Sequence, residues 1–352
     1  MANTRIVVVG AGLIGKRHIE AVNKAEGVEM SAIIEPMPSG KEVAGKEGLP
    51  LFQNLTDLLK AKQPVDAVIL ATPNALHVPG GLECIEAGLP VLVEKPLAES
   101  VEAGRKLVEA GEKAGIPVLT GHHRRYNPLI ARARKIVKED QRLGKLTIVN
   151  GMCWFLKGDD YFDVAWRKQK GGGPILINLV HVIDDLRNIA GDIESVQAIS
   201  SNGTRNHEVE DTAAILIRFT NGALGTLSIS DCAAAPWSWE LTANENPAYP
   251  YTDQSCYLFA GTHGSLAVPN NQLWRYADDK RGWWQTIYQE KQNHPVSEDI
   301  DPLIVQAAHL GAVVRGEAEP IMTGREGLRS LEATFAVKES AENGGKIIHL
   351  KN

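Results

Sequence analysis

Six residues near the N-terminus, Gly10-Ala-Gly12-Leu13-Ile14-Gly15, set glycines in the order GxGxxG. They follow the apolar run 6–9 and open a stretch of helical periodicity. In that setting Gly10 permits a tight turn, Gly12 lets the backbone approach a pyrophosphate, and Gly15 lets the helix pack on the strand. The free N–H groups at the helix start, those of Leu13 and Ile14 among them, and the helix dipole favour an anion there. The same glycines also suit a strand–helix turn that holds no ligand. Glu35 lies 20 residues after Gly15, at the end of the next apolar run. A carboxylate there accepts hydrogen bonds from ribose hydroxyls and repels a 2′-phosphate, which favours NAD over NADP. Ser39 and Lys41 are near enough in sequence to keep NADP as an alternative.

These residues need a scaffold, and the first 120 residues supply one. Strands are expected at 6–9, 29–34, 67–71, 91–94 and 118–120, with helices at 15–24, 57–61, 79–87 and 101–114 between them. Thr56 and Ser100 are expected N-caps, and Gly88 and Gly115 expected stops. Continuous apolar strands alternating with helices indicate a parallel sheet buried on both faces, a doubly wound α/β domain. After about residue 121 the pattern changes. A basic helix is expected at 128–138, a strand at 145–152, and a helical run from Gly171-Gly-Gly-Pro174 to Gly191. Strands at 196–201, 212–219, 224–229, 257–259 and 265–268 follow without helices between them, with Asn221-Gly222 a hairpin signal. They predict a large, mainly antiparallel sheet. Helices at 302–314 and 324–341 and a strand at 346–350 close the chain. The expected division is 1–122 and 123–352, with the final helix free to pack back on the first domain.

Three further segments carry polar groups at strand ends or on a helix: Ala71-Thr72-Pro73-Asn74-Ala-Leu-His77, Glu94-Lys95-Pro96, and Gly171-Gly-Gly-Pro174 followed by His181-Val-Ile-Asp184. Together with the glycine fingerprint they resemble the glucose–fructose oxidoreductase/inositol dehydrogenase/MocA family of nicotinamide-dependent oxidoreductases, over nearly the whole chain. The resemblance implies a Rossmann domain plus an α/β domain with an open-faced sheet. It implies Lys95 at the reacting oxygen and nicotinamide ribose, and His181 as acid/base. It implies Thr72, Pro73, Asn74 and His77 over the nicotinamide half, Glu94 near the nicotinamide ribose, and the pair Trp166-Arg167 near the site, with Arg167 reaching the cofactor. The chemistry agrees. A lysine near its free pKa is a poor base, burial and a positive nicotinamide could lower it, and a histidine already titrates near neutrality. Taken singly, Lys95 also reads as a strand-end surface lysine and His181 as a core histidine.

One position departs from the family. Many members carry an aspartate four residues before the histidine, where this chain has Ile177. Asn178, three before His181, shares its helix face and can position a substrate but cannot carry a proton.

His122-His-Arg124-Arg125-Tyr126 matches a family segment that approaches the cleft. Arg124 or Arg125 could hold a substrate carboxylate, or one could meet the cofactor and the other a structural carboxylate. Four of the seven tryptophans fall in 235–240 and 282–285, as sugar-stacking faces or as packing and interface residues. No compact carboxylate–histidine set suggests a metal.

The chain has 352 residues, 43% hydrophobic and 23% charged, with a formal net charge of -6. That composition suits a folded protein and is a poor match for a nucleic-acid binder. No apolar run reaches the ~20 residues of a membrane helix. Cys84, Cys153, Cys232 and Cys256 lie far apart, as expected of reduced thiols in the cytoplasm. The expectation is a cytoplasmic NAD(P)-dependent dehydrogenase. By resemblance, it would act on a secondary alcohol or ketone of a sugar, sugar acid or inositol-like polyol. A cyclic dihydrodiol or hydroxylated carboxylate is the alternative substrate, and a non-catalytic nucleotide-binding sensor the alternative of another class. A homodimer or homotetramer through the C-terminal sheet is expected.

Overall fold

A computed structural model describes residues 2–277, 280–290 and 301–351. The chain forms two compact units, Met1–Tyr126 with Ile300–Leu331, and Asn127–Asp299 with Glu332–Asn352. The expected boundary at 122/123 falls just before the 3-10 turn His123–Tyr126 that closes the N-terminal part of the first unit.

The first unit starts with β1 (Thr4–Val9), α1 (Leu13–Lys24), β2 (Val28–Ile34), α2 (Ser39–Glu47), β3 (Leu51–Phe52) and α3 (Leu55–Lys60). β4 (Ala67–Leu70), α4 (His77–Glu86), β5 (Val91–Glu94), α5 (Val101–Ala114) and β6 (Val118–Gly121) follow. The sheet order is β3-β2-β1-β4-β5-β6, every pair parallel. This is the dinucleotide-binding order, and the strand sequence reverses direction between β1 and β4. The β4 and β5 strands are buried at every position because helices cover both faces. α2 and β3 were not expected from the sequence: Gly40, Gly45 and Gly48 interrupt the helical pattern, and β3 is only two residues long. The cap of α3 is Asn54, not Thr56; its side chain accepts from the Asp57 N–H at 2.8 Å. Ser100 caps α5 as expected.

The second unit contains α6 (Pro128–Arg134), β7 (Leu146–Trp154), α7 (Val180–Ala190), β8 (Ile193–Ser201), β9 (Thr212–Phe219) and β10 (Leu224–Ser230). The short α8 (Trp239–Thr242) precedes β11 (Tyr257–Gly261), β12 (Gly264–Val268), β13 (Gln272–Tyr276) and β14 (Ile287–Gln289). α9 (Pro302–Val314) returns to the first unit, where Ala307, Leu310 and Val313 join the core beside α1. α10 (Gly324–Glu342) begins in the first unit and continues in the second, and β15 (Ile348–His349) ends the chain. The second sheet runs β14-β13-β12-β11-β7-β10-β9-β8-β15. All its pairs are antiparallel except β7 with β10.

One face of this sheet packs under α7, whose eleven residues are all buried. Its core joins Ile183, Leu186 and Ile189 to Val149, Ile215, Ile217, Leu227, Tyr257 and Phe259. Each aliphatic side chain so buried contributes about 1.5–3 kcal/mol. On the other face Ile148, Ile199, Leu216, Leu224 and Leu258 remain exposed. Among the described residues no helix is long and apolar enough to cross a membrane.

Candidate functional site: a dinucleotide cradle and a histidine helix

The cradle lies where β1 runs into α1. Gly10 has φ +97°, and a Cβ there would meet the Ala71 carbonyl oxygen at 2.6 Å. A Cβ on Gly15 would collide with the Gly10 carbonyl. Both glycines are therefore demanded by close backbone approach. Gly12 differs, since a Cβ there meets nothing within 4 Å. Gly12 is also the N-cap of α1 and supplies no side-chain acceptor, so the first-turn N–H groups have none from it. Leu13 beside it is 91% exposed. Open space at Gly12, donors at a helix start and the parallel switch point together fit a pyrophosphate. Glu35 Oε2 accepts from the Ala11 N–H at 2.8 Å and Oε1 from the Met37 N–H at 3.0 Å. The carboxylate is thus fixed beside the glycine turn.

The loops after β4 and β5 are strapped together. His77 is buried, with Nδ1 2.8 Å from the Pro96 carbonyl and Nε2 2.9 Å from the Thr72 carbonyl. Pro73 and Asn74 are exposed on the turn between Thr72 and His77, and Thr72 is half-buried. Glu94 is buried and accepts from His18 Nε2 at 2.7 Å and from the Lys95 N–H at 3.0 Å. Burial would raise its pKa, but the hydrogen bond and charge of His18, with Lys95 and His123 nearby, bring it down to about 2. Lys95 follows at the strand end, half-buried. Arg124, Arg125 and Tyr126 are buried on the turn after β6. Arg125 pairs with Glu326 at 3.0 Å, and the Tyr126 ring lies 5.4 Å from that of His309.

In the second unit His181 occupies the start of α7 and is almost fully buried. A π-turn, Ile175–Leu179, leads into it and carries Asn178 and Ile177, both half-buried. Asn178 Oδ1 accepts from the Lys157 ammonium at 2.9 Å. Arg167 donates to the Tyr161 carbonyl at 2.8 Å and stacks 4.0 Å from the Tyr161 ring centroid, while Trp166 is exposed beside it.

The sequence reading did not single out His18, Lys157, Arg205 or Asp231. His18 had a signal: it lies on the buried stripe of α1 with Gly15, Ile19 and Val22, where a polar residue needs a partner. Lys157 and Arg205 had none, since each is one basic residue in an irregular segment and finds its partners through distant parts of the chain.

A parallel sheet in dinucleotide-binding order with an open glycine cradle defines a dinucleotide-binding protein. The profile described as "Oxidoreductase family, NAD-binding Rossmann fold" matches residues 4–122, and the "GFO/IDH/MocA C-terminal domain" matches residues 130–267. The chain belongs to the GFO/IDH/MocA family; it is an NAD(P)-dependent dehydrogenase and binds NAD(H). It is 27% identical to the rhizopine catabolism protein MocA of Rhizobium meliloti over 65% of this chain and 72% of that one. It is 37% identical to inositol 2-dehydrogenase of Corynebacterium glutamicum over 42% of this chain, spanning 44% of that protein. The crystal structure of the WlbA dehydrogenase from Bordetella pertussis, in complex with NADH and UDP-GlcNAcA, superposes with a TM-score of 0.78. That superposition covers 99% of both chains at 28% identity.

Proposed function

We propose that the protein interconverts a secondary alcohol and a ketone on a sugar, sugar acid or inositol-like polyol. The observation that carries this reading is His181, held almost buried at the start of α7 one turn after Asn178. Inositol 2-dehydrogenase among its relatives and a sugar-nucleotide complex among similar structures support a polyhydroxylated substrate. Bound NAD supplies the hydride acceptor for oxidation and, when reduced, the donor for reduction.

The chain's own residues do the rest. Gly10, Gly12, Leu13, Ile14 and Gly15 bind the pyrophosphate, and Glu35 receives the adenosine ribose. Thr72, Pro73, Asn74 and Glu94 shape the nicotinamide end, with His77 bracing their loop. Oxidation removes a hydroxyl proton and a hydride from one carbinol. The Lys95 ammonium polarises the reacting oxygen, and a ring nitrogen of His181 takes its proton. Asn178 positions the substrate. Arg124, Arg125, Tyr126, Trp166 and Arg167 are the outer contacts of this reading, although Arg125 and Arg167 already hold partners within their own units. The exposed apolar face of the large sheet suits a second copy of the chain in a dimer or tetramer. The four cysteines carry free thiols, which suits the cytoplasm.

The test is nicotinamide absorbance with NAD or NADP against sugars, sugar acids, inositols and cyclic diols, for the wild type, Lys95→Ala and His181→Ala. NAD-linked turnover that drops at least ~10²-fold in both variants, with NADH binding kept, supports the reading. NADH binding without turnover on any compound would favour a nucleotide-binding sensor.

A further inference from the structure

Lys157 lies three residues beyond the end of β7 and is 8% exposed. Among the described residues its ammonium has no carboxylate within 4.0 Å. Its contacts are Asn178 Oδ1 at 2.9 Å and the Tyr161 ring at 4.6 Å. A buried charge without a counter-ion is costly, so a site that keeps one suits an anion arriving from outside. Beside Lys157 is a cavity of about 730 Å³, also lined by Lys168, Thr204, Arg205, His207 and Asp159. Arg205 is already engaged, with Nε 2.9 Å from Asp231 Oδ1 and Nη2 2.7 Å from the Lys157 carbonyl. Asp159 is fully exposed. Lys157 is therefore the buried cation of this group that no carboxylate touches, Asp231 and Glu240 acting on it only from beyond 4.0 Å.

The hydrogen bond to Lys157 also fixes the polarity of Asn178. An ammonium only donates, so the amide oxygen must face it. The other end, Nδ2, is a pure donor and makes no hydrogen bond among the described residues. Lys157 and Asn178 together thus present N–H groups and a positive charge. That set matches a group that only accepts and is negative, as a carboxylate does with its two oxygens. Burial lowers the Lys157 pKa, and Asp231, Cys153 and Glu240 oppose that shift while Arg167 adds to it. An arriving carboxylate would favour the charged form.

We propose that the Lys157–Asn178 pair receives the carboxylate of an acidic polyol substrate, a uronate or aldonate. This rests on reading the Asn178–His181 face as the substrate side of a dehydrogenase. Binding is measured by calorimetry on the full chain loaded with NADH, using D-glucuronate, D-glucose and D-glucose 6-phosphate as probes. The wild type is expected to bind D-glucuronate at least tenfold more tightly than D-glucose. Lys157→Met removes the charge and should erase that gap. Asn178→Asp keeps the acceptor that Lys157 bonds, so it keeps the fold contact. It puts a negative oxygen where Nδ2 stood, and should also erase the gap. Thermal unfolding of both variants checks that they are folded. No binding of D-glucuronate, equal affinity for it and glucose, or a gap unchanged in folded variants would overturn the proposal. Tighter binding of the 6-phosphate than of the uronate would overturn the carboxylate assignment. Lys157-dependent uronate binding without hydride transfer would sink the reading of the Asn178–His181 face as the reacting side and leave the subsite standing.

Discussion

Glu35 accepts the backbone N–H of Ala11 at 2.8 Å, so the carboxylate that ends β2 is also a brace for the glycine turn after β1. Its other oxygen accepts from the Met37 N–H at 3.0 Å. Each carboxylate oxygen has a second acceptor direction. The group can therefore receive ribose hydroxyls without moving, and its charge remains to oppose a 2′-phosphate.

Glu35→Gln should expose both functions. A glutamine amide accepts at one oxygen only, so one of the two backbone N–H groups loses its partner, and the charge is gone. NADH should bind about tenfold more weakly, a cost of about 1.4 kcal/mol. NADPH should lose less, so the ratio of the two dissociation constants shifts toward NADPH. Fluorescence titration with both cofactors measures this, and an unchanged ratio would remove Glu35 from cofactor selection.

The three cradle glycines should separate into two kinds. Gly15→Ala forces a methyl group against the Gly10 carbonyl, backbone on backbone, and should cost about 1–3 kcal/mol or more of stability. Gly12→Ala meets no protein atom and should leave the melting temperature nearly unchanged. It should still weaken NAD binding, because the methyl occupies the space left for the pyrophosphate. Thermal scans with and without NAD distinguish the two. A Gly12→Ala protein that binds NAD normally would show that the cofactor does not approach there.

Glu94 makes a pH prediction whose sign follows from its depressed pKa. The carboxyl titrates near 4.5 when unperturbed and at about 2 in the fold. Its stabilisation is fully present above pH ~4.5 and is lost as the pH falls toward the folded value. The difference corresponds to about 3 kcal/mol at neutral pH. Glu94→Gln should lower the unfolding free energy by about that amount at pH 7. The gap to wild type should shrink by about 1 kcal/mol on going to pH 4. Urea unfolding of both proteins at the two pH values measures it, and a gap that widens in acid would contradict the His18–Glu94 account.

The parallel sheet was readable from the sequence because its strands are short, continuously apolar and separated by helices with their own stops. The antiparallel sheet was readable from alternation: β9 is buried at every second residue. α2 escaped because its glycines weaken the local signal and its place depends on packing near Glu35, where a Cβ on Gly40 would lie 2.7 Å from the Glu35 Cβ. At the candidate site, Gly10, Gly15 and Glu35 could be argued from local spacing. Glu94 could not, because its partner His18 is 76 residues away. The Lys157–Asn178 bond spans 21 residues of irregular chain and a π-turn, and no periodicity announces such a meeting.

The open face of the large sheet gives the last prediction. Ile199 is 64% exposed and Leu216 54%, on the neighbouring strands β8 and β9, and Ile148, Leu224 and Leu258 extend the same apolar area. A sheet face of this kind in water invites a second copy, and each aliphatic side chain covered contributes up to about 1.5–3 kcal/mol. Leu216→Glu would place a charge in such an interface, where burying it without a partner costs several kcal/mol. The side chain points away from the core in the single chain, so folding should be nearly unaffected. Analytical ultracentrifugation should find a wild-type oligomer and a Leu216→Glu monomer with matching circular dichroism. A wild type that is monomeric at micromolar concentration would mean that the face is covered by something other than its own copy.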